Sequence, residues 1–215
     1  MKKILLGMLM FLFVVSCGSG PDKTVSKFID NVKAEKFNEA AKYTSDENFK
    51  AIMEAGYNNE IQKFLFKTLL KNIEYKIVKT EKQDDETSIV TVEIKNVDMQ
   101  KVFLQVFQNM VKGAFSKDGS KRPLSVEEVL KEELESKNKP KSKYTTQFVV
   151  KKTADGEKIV VTAENIDVLL GKLNTTLSNL NTLGGAEEET AVELPETGPS
   201  TGLTQKPEEL RNQNK

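Results

Sequence analysis

Histidine and tryptophan are absent from this chain, and cysteine occurs once. Without histidine, no Ser/His or Cys/His nucleophile pair can form, and the commonest metal ligand of proteins is missing. A single cysteine allows no internal disulfide, so the fold must depend on its apolar core. The composition therefore leads us to expect a protein with no catalytic residues, no metal site and no bound cofactor.

No charge of either sign is in excess, since the 215 residues hold 32 basic and 32 acidic side chains. The sequence shows neither the basic footprint of a nucleic-acid-binding protein nor a polybasic membrane patch. We therefore expect no nucleic-acid partner. The length allows one domain of roughly 150 residues together with a tail.

The N-terminus has the pattern of a secretion signal. Lys2 and Lys3 precede an apolar run over residues 4–15. This run is shorter than the roughly 20 residues that a membrane-spanning helix needs, but it suits the hydrophobic region of a leader. The sequence therefore predicts a signal peptide over residues 1–16.

Cys17 stands directly after this leader, where Val14, Val15 and Ser16 resemble the bacterial lipobox. The resemblance implies cleavage before Cys17, acyl and diacylglycerol chains on Cys17, and a short tether over residues 17–20. One chain binds a membrane only marginally, whereas several anchor firmly. We expect a lipid anchor in the cell membrane or outer membrane, facing away from the cytoplasm. The alternative is an ordinary signal peptide followed by an incidental cysteine.

Hydrophobic periodicity predicts an α+β fold with one domain over residues 21–184, followed by a disordered acidic tail over residues 185–215. Asp22 is the expected cap of a first helix, and Ser125 with Glu128 predicts a capping box at the start of a later one. Further helices are predicted over residues 37–43, 46–55, 59–71, 98–115, 125–137 and 165–184. Alternating apolar and polar residues predict strands over residues 73–77, 90–94, 144–150 and 158–162, paired as two hairpins.

The helix that follows Asp98 has the broadest apolar face in the sequence, and we expect it to be the most buried helix. Its large apolar side chains include Phe103, Phe107, Met110 and Phe115. These four residues are candidates for the lining of a hydrophobic pocket. The alternative is that they are ordinary core residues, which is the commoner role of such a stripe.

Three segments of the chain carry a resemblance to a known family. Residues 25–37 read VSKFIDNVKAEKF, residues 90–99 read VTVEIKNVDM, and residues 151–161 read KKTADGEKIVV. Together they resemble bacterial lipoprotein domains of the nuclear-transport-factor-like superfamily, whose fold is cystatin-like. The resemblance covers residues 21–175 and implies N-terminal helices on a curved antiparallel sheet of about four strands, with residues 98–140 as a helical insertion and a further helix at the C-terminus. The family often has tryptophan after the Asp-Gly turn, where this chain has Glu157 or Lys158.

The resemblance also implies a pocket between sheet and helices, which holds apolar ligands or, in enzymes, an acidic base beside a tyrosine. Asp30 and Asp98 are the nearest acids, and both have explanations as caps or surface residues. We expect a non-catalytic, lipid-anchored domain that binds an envelope protein or a small apolar ligand. The alternatives are an enzyme of the same superfamily with an isomerase-like pocket, and a purely structural envelope component.

Two further motifs have simpler interpretations. Asp84, Asp85 and Glu86 are consecutive, but they lack the spacing of an EF-hand loop and suit a solvated turn. Residues 194–198 read LPETG, the recognition sequence of a sortase. The residues that follow are polar, whereas a sortase substrate needs an apolar span there, so we interpret the match as part of a polar tail.

Overall fold

A computed structural model describes residues 20–115 and 125–183. Within these residues the fold is α+β, as predicted, with eight helices and one antiparallel sheet. The predicted signal peptide, Cys17, the LPETG sequence and the predicted tail lie outside the described residues. The elements are α1 (Pro21–Lys33), α2 (Phe37–Ala41), α3 (Phe49–Ala55), α4 (Glu60–Lys71), β1 (Glu74–Lys82), β2 (Thr87–Val97), α5 (Met99–Phe115), α6 (Val126–Glu135), β3 (Lys141–Thr153), β4 (Gly156–Val160), α7 (Ala163–Leu169) and α8 (Leu173–Leu183).

Helix α1 begins at Pro21 with Gly20 as its N-cap, so the prediction that Asp22 caps it is wrong. The helix packs against the sheet because one of its faces is apolar. Val25, Phe28 and Ile29 on that face are fully buried. The ring centroid of Phe28 lies 5.2 Å from that of Phe49 in α3 and 6.0 Å from that of Phe148 in β3. Aromatic pairs at these separations attract beyond their burial. The three rings therefore fix α1 and α3 against the sheet.

The sheet is a simple meander in the order β1-β2-β3-β4. The pairing of β1 with β2 and of β3 with β4 confirms the two predicted hairpins. Strands β1, β2 and β3 are longer than predicted. Val90, Val92 and Ile94 of the central strand β2 are fully buried, which explains their alternation with polar residues. At the β4 edge, Ile159 N–H donates to the Tyr43 carbonyl at 2.7 Å, so the segment after α2 covers part of this edge.

Helices α5 and α6 form the predicted insertion between β2 and β3. Ser125 and Glu128 make the predicted capping box at the start of α6. Asn109 Nδ2 of α5 donates to Glu133 Oε1 of α6 at 2.7 Å. The prediction that α5 is the most buried helix is wrong, because only Met99, Val102 and Val106 of its residues are buried.

The predicted C-terminal helix over residues 165–184 is in fact two helices, α7 and α8. Gly171 and Lys172 both have a φ of +63°, which ends α7. Gly171 N–H donates to the Val168 carbonyl at 3.1 Å, and Lys172 N–H donates to the Asp167 carbonyl at 2.8 Å. These two bonds are those of a Schellman motif. The leucine pattern continues across this break, and for this reason it predicted one helix.

Candidate binding surface

The four predicted pocket residues do not enclose an interior cavity. Phe103 is half-buried against the core, but Phe107, Met110 and Phe115 are on the surface. Phe107 is 66% exposed and Phe115 is 83% exposed. The prediction of a pocket lined by these residues is therefore corrected: three of the four lie on an outer face of α5.

Helix α5 extends past the core. Every residue from 107 to 115 is exposed, which is about 13 Å of helix at 1.5 Å per residue. Leu104, Phe107, Val111 and Phe115 fall three, four and four residues apart, so they lie along one side of the helix. We call these four residues the α5 apolar face. Large apolar side chains gathered on a surface are typical of interaction sites, whereas single ones are ordinary.

The neighbouring helix α8 adds further apolar surface. It packs against α5, with Leu173 and Thr176 buried. Leu177 and Leu180 are each more than two-fifths exposed. Two adjacent helices of the described chain therefore both expose apolar side chains to solvent.

Asp98 holds the base of α5, as predicted from its position. Its Oδ1 accepts from Lys101 N–H at 3.0 Å, and its Oδ2 accepts from the Ser142 hydroxyl at 2.5 Å. Lys101 Nζ lies 3.0 Å from the same Oδ2. Burial works to raise the pKa of Asp98, but the hydrogen bonds from Ser142 and Lys101 outweigh it and hold this pKa below its usual value. The carboxylate is thus a charged N-cap that links α5 to β3.

Replacing Asp98 by asparagine should make the protein less stable at neutral pH and flatten its acid response. A lowered folded-state pKa stabilises the protein above the unfolded value of about 3.9, and this contribution is lost as the pH falls through the folded pKa. We expect Asp98→Asn to cost about 1 kcal/mol of unfolding free energy at pH 7, with a smaller difference near pH 3. Urea unfolding at the two pH values measures this.

Asp155→Asn is the matched control, because Asp155 is exposed in the β3–β4 turn. It should change the unfolding free energy at pH 7 by less than about 0.5 kcal/mol. If wild type and Asp98→Asn kept the same difference from pH 7 to pH 3, the charged-cap interpretation would be wrong.

Two tyrosines of the described chain donate hydrogen bonds to carboxylates. Tyr75 Oη donates to Asp30 Oδ1 at 3.0 Å, and Tyr57 Oη donates to Glu35 Oε2 at 2.9 Å. Burial, and then the neighbouring carboxylate, raises the pKa of Tyr57, and burial is the main reason that the pKa of Tyr75 is raised. A proton donor works best with a pKa near the operating pH. These pairs therefore suit structural hydrogen bonds better than proton transfer.

The consecutive acids of the β1–β2 turn also have a structural role. Asp84 Oδ1 accepts the backbone N–H groups of Glu86 and Thr87 at 2.8 Å and 2.7 Å. Asp85 pairs with Lys82 at 2.5 Å. Among the residues that the structure describes, no group of three or more potential ligands is placed to hold a metal ion.

Comparisons with known proteins leave the family open. No family model matches the sequence, and no curated protein matches it. The crystal structure of YcdA, a candidate lipoprotein of Bacillus subtilis, is a weak neighbour with 17% identity and a TM-score of 0.32. The match covers 71% of this chain and 47% of YcdA, so the chain spans about half the length of that protein. The nuclear-transport-factor-like assignment stays a prediction.

In residues 20–115 and 125–183, no helix is both long enough and apolar enough to cross a bilayer.

Proposed function

We propose that this protein is a lipoprotein of the cell envelope, anchored through Cys17, that binds a partner protein through the α5 apolar face and has no catalytic role. The observation that carries the binding role is the exposure of Phe107 and Phe115 on a helix that extends past the core. Aromatic side chains are enriched at the centres of protein interfaces. Without a partner, Phe107 and Phe115 would remain as part of an apolar stripe exposed to water.

The position of the base of α5 relative to the proposed anchor supports a protein partner. The start of α1 contacts the β3–β4 hairpin, where the Thr24 hydroxyl donates to Glu157 Oε2 at 2.9 Å. Strand β2 begins near that hairpin, since Thr87 pairs with Lys151. It then runs about 33 Å, at roughly 3.3 Å per residue, to the base of α5. A chain anchored just before α1 therefore starts α5 at the end of the sheet away from the bilayer.

A small apolar ligand has less support. Sites for such ligands are concave and mostly apolar. Two open depressions in the described part of the chain are both lined mainly by polar and charged residues. The α5 apolar face is instead an outer surface of a helix, which suits the flat contact of a protein interface.

Cys17→Ser tests the anchor. Without the thiol no thioether lipid can form, so we expect the variant either to be released from the membrane or to accumulate as the uncleaved precursor. Fractionation of cells followed by detergent phase partitioning measures both outcomes. Ser19→Ala is a nearby control that should leave the protein in the detergent phase. Unchanged partitioning of Cys17→Ser would contradict lipid anchoring.

A further inference from the structure

The β3–β4 hairpin and the start of α1 enclose a cleft rich in lysine. It has a volume of about 500 Å³ and is open to solvent. We call it the lysine cleft, after the five lysines that line it together with Asp155 and Glu157. The five are Lys23, Lys27, Lys42, Lys152 and Lys158. They come from α1, the end of α2, β3 and β4, and the fold brings them to one end of the sheet.

The acidic groups at the cleft do not cancel its positive charge. Glu157 accepts the hydroxyl of Thr24 at 2.9 Å, and Lys42 pairs with Glu39 at 2.7 Å. Lys27 and Lys152 form no ion pair with any carboxylate of the described chain, and both are exposed. Even with Glu39 counted beside Asp155 and Glu157, the five lysines of the cleft outnumber the carboxylates. This excess of positive charge attracts anions.

The cleft lies at the end of the molecule where the proposed anchor attaches. Lys23 and Lys27 are in the first two turns of α1, which begins at Pro21. Four residue steps separate Cys17 from Pro21, and these span at most about 14 Å at 3.5 Å per residue. Electrostatic attraction to a membrane surface acts over about 8 Å at physiological ionic strength. A tether of this length allows the lysines to reach the charged layer of the membrane.

We propose that the lysine cleft binds the phosphate groups of anionic lipid headgroups in the membrane to which the protein is attached. The proposal rests on the anchoring proposed above, because the anchor is what brings the cleft to the bilayer. Ammonium groups recognise phosphate by charge and by hydrogen bonding. Binding at this end holds the start of α1 against the bilayer and directs the base of α5 away from it.

Vesicle binding tests the cleft without any lipid on the protein. The protein used is residues 17–215 with Cys17→Ser, mixed with vesicles of phosphatidylcholine alone or with one-third phosphatidylglycerol, and sedimented. We expect binding only to the anionic vesicles, weakening as salt is added. Because each lysine near an anionic surface changes affinity by about fivefold, Lys27→Gln with Lys152→Gln should weaken binding by roughly 25-fold.

Lys71→Gln with Lys137→Gln is the matched control, since both lysines are exposed and neither lines the cleft. It should change binding by less than about threefold, as charges beyond a Debye length are screened. Equal weakening by the two pairs, or no binding to anionic vesicles, would overturn the proposal. Tight binding of inorganic phosphate without any binding to anionic vesicles would also overturn it, because the ligand of the cleft would then be a free anion rather than a lipid headgroup. Acylation of Cys17 is measured in a separate experiment. A result that contradicts lipid binding by the lysine cleft would therefore not contradict the proposed lipid anchor.

Discussion

Gly171→Ala is expected to destabilise the protein by about 3 kcal/mol. A left-handed backbone costs alanine about 1 kcal/mol or more, and the φ of Gly171 is +63°. The larger effect is steric: a Cβ at this position would lie 2.1 Å from the Val97 carbonyl oxygen. Backbone at both sites must move to relieve such a contact, and overpacking of this kind typically adds about 1–3 kcal/mol.

A backbone shift at Gly171 would also disturb hydrogen bonds between neighbouring elements. Its carbonyl accepts from Met99 N–H at 3.2 Å, so the turn between α7 and α8 is tied to the base of α5. Asn96 Nδ2, which is fully buried, donates to the Leu169 carbonyl at 2.7 Å. Moving the turn away from Val97 would strain both hydrogen bonds, and a buried polar group left without a partner is costly.

Gly113→Ala is the control for this variant. A Cβ at Gly113 meets no atom within 4 Å, and the residue is in the exposed part of α5. Alanine should stabilise the protein by up to about 1 kcal/mol there, because glycine is a poor helix former. Urea unfolding of both variants measures the contrast. A Gly171→Ala protein as stable as wild type would show that the close approach to Val97 does not exist in solution.

Phe107→Asp is expected to abolish partner binding while leaving the fold intact. Loss of a central aromatic residue commonly weakens an interface by 2 kcal/mol or more, which is about 30-fold. The added carboxylate would also have to be buried in the interface. Because Phe107 is 66% exposed in the free protein, the unfolding free energy should change by less than about 0.5 kcal/mol.

A photo-crosslinking residue at Val111 provides the readout for this prediction in intact cells. We expect one discrete adduct of higher mass, which disappears when Phe107→Asp is added. The same probe at Val78, which is 54% exposed on β1, is the control and should give no such adduct. An adduct from both sites, or from neither, would contradict a specific interface on α5. An adduct of twice the chain mass would identify the partner as a second copy.

Local signals in the sequence predicted much of the fold. Alternation along β2 indicated a strand because side chains on a strand point to opposite faces. The Ser125–Glu128 box and Asp98 predicted helix starts because their side chains satisfy free backbone N–H groups. Gly156 has a φ of +103° at the β3–β4 turn, which agrees with the predicted Asp-Gly reversal. Each of these features depends on residues close together in the chain.

Features that depend on distant residues were not predicted. An apolar stripe on α5 shows that the helix is amphipathic, but not how far the rest of the fold reaches to cover it. Gly171 was a local stop signal that the continuing leucine pattern hid, but the close approach of Val97, more than 70 residues away, could not be inferred from either. The lysine cleft draws on segments that are up to 135 residues apart, so balanced overall charge concealed it. The predicted anchor at Cys17 lies outside the described residues.

Mass spectrometry of the protein purified from membranes tests the account most directly. The N-terminal peptide should begin at Cys17, lack residues 1–16, and carry the added mass of a diacylglycerol with an amide-linked acyl chain or without one. An N-terminal peptide with a free sulfhydryl on Cys17 would contradict the anchor. The orientation that places the base of α5 away from the bilayer would then have no basis.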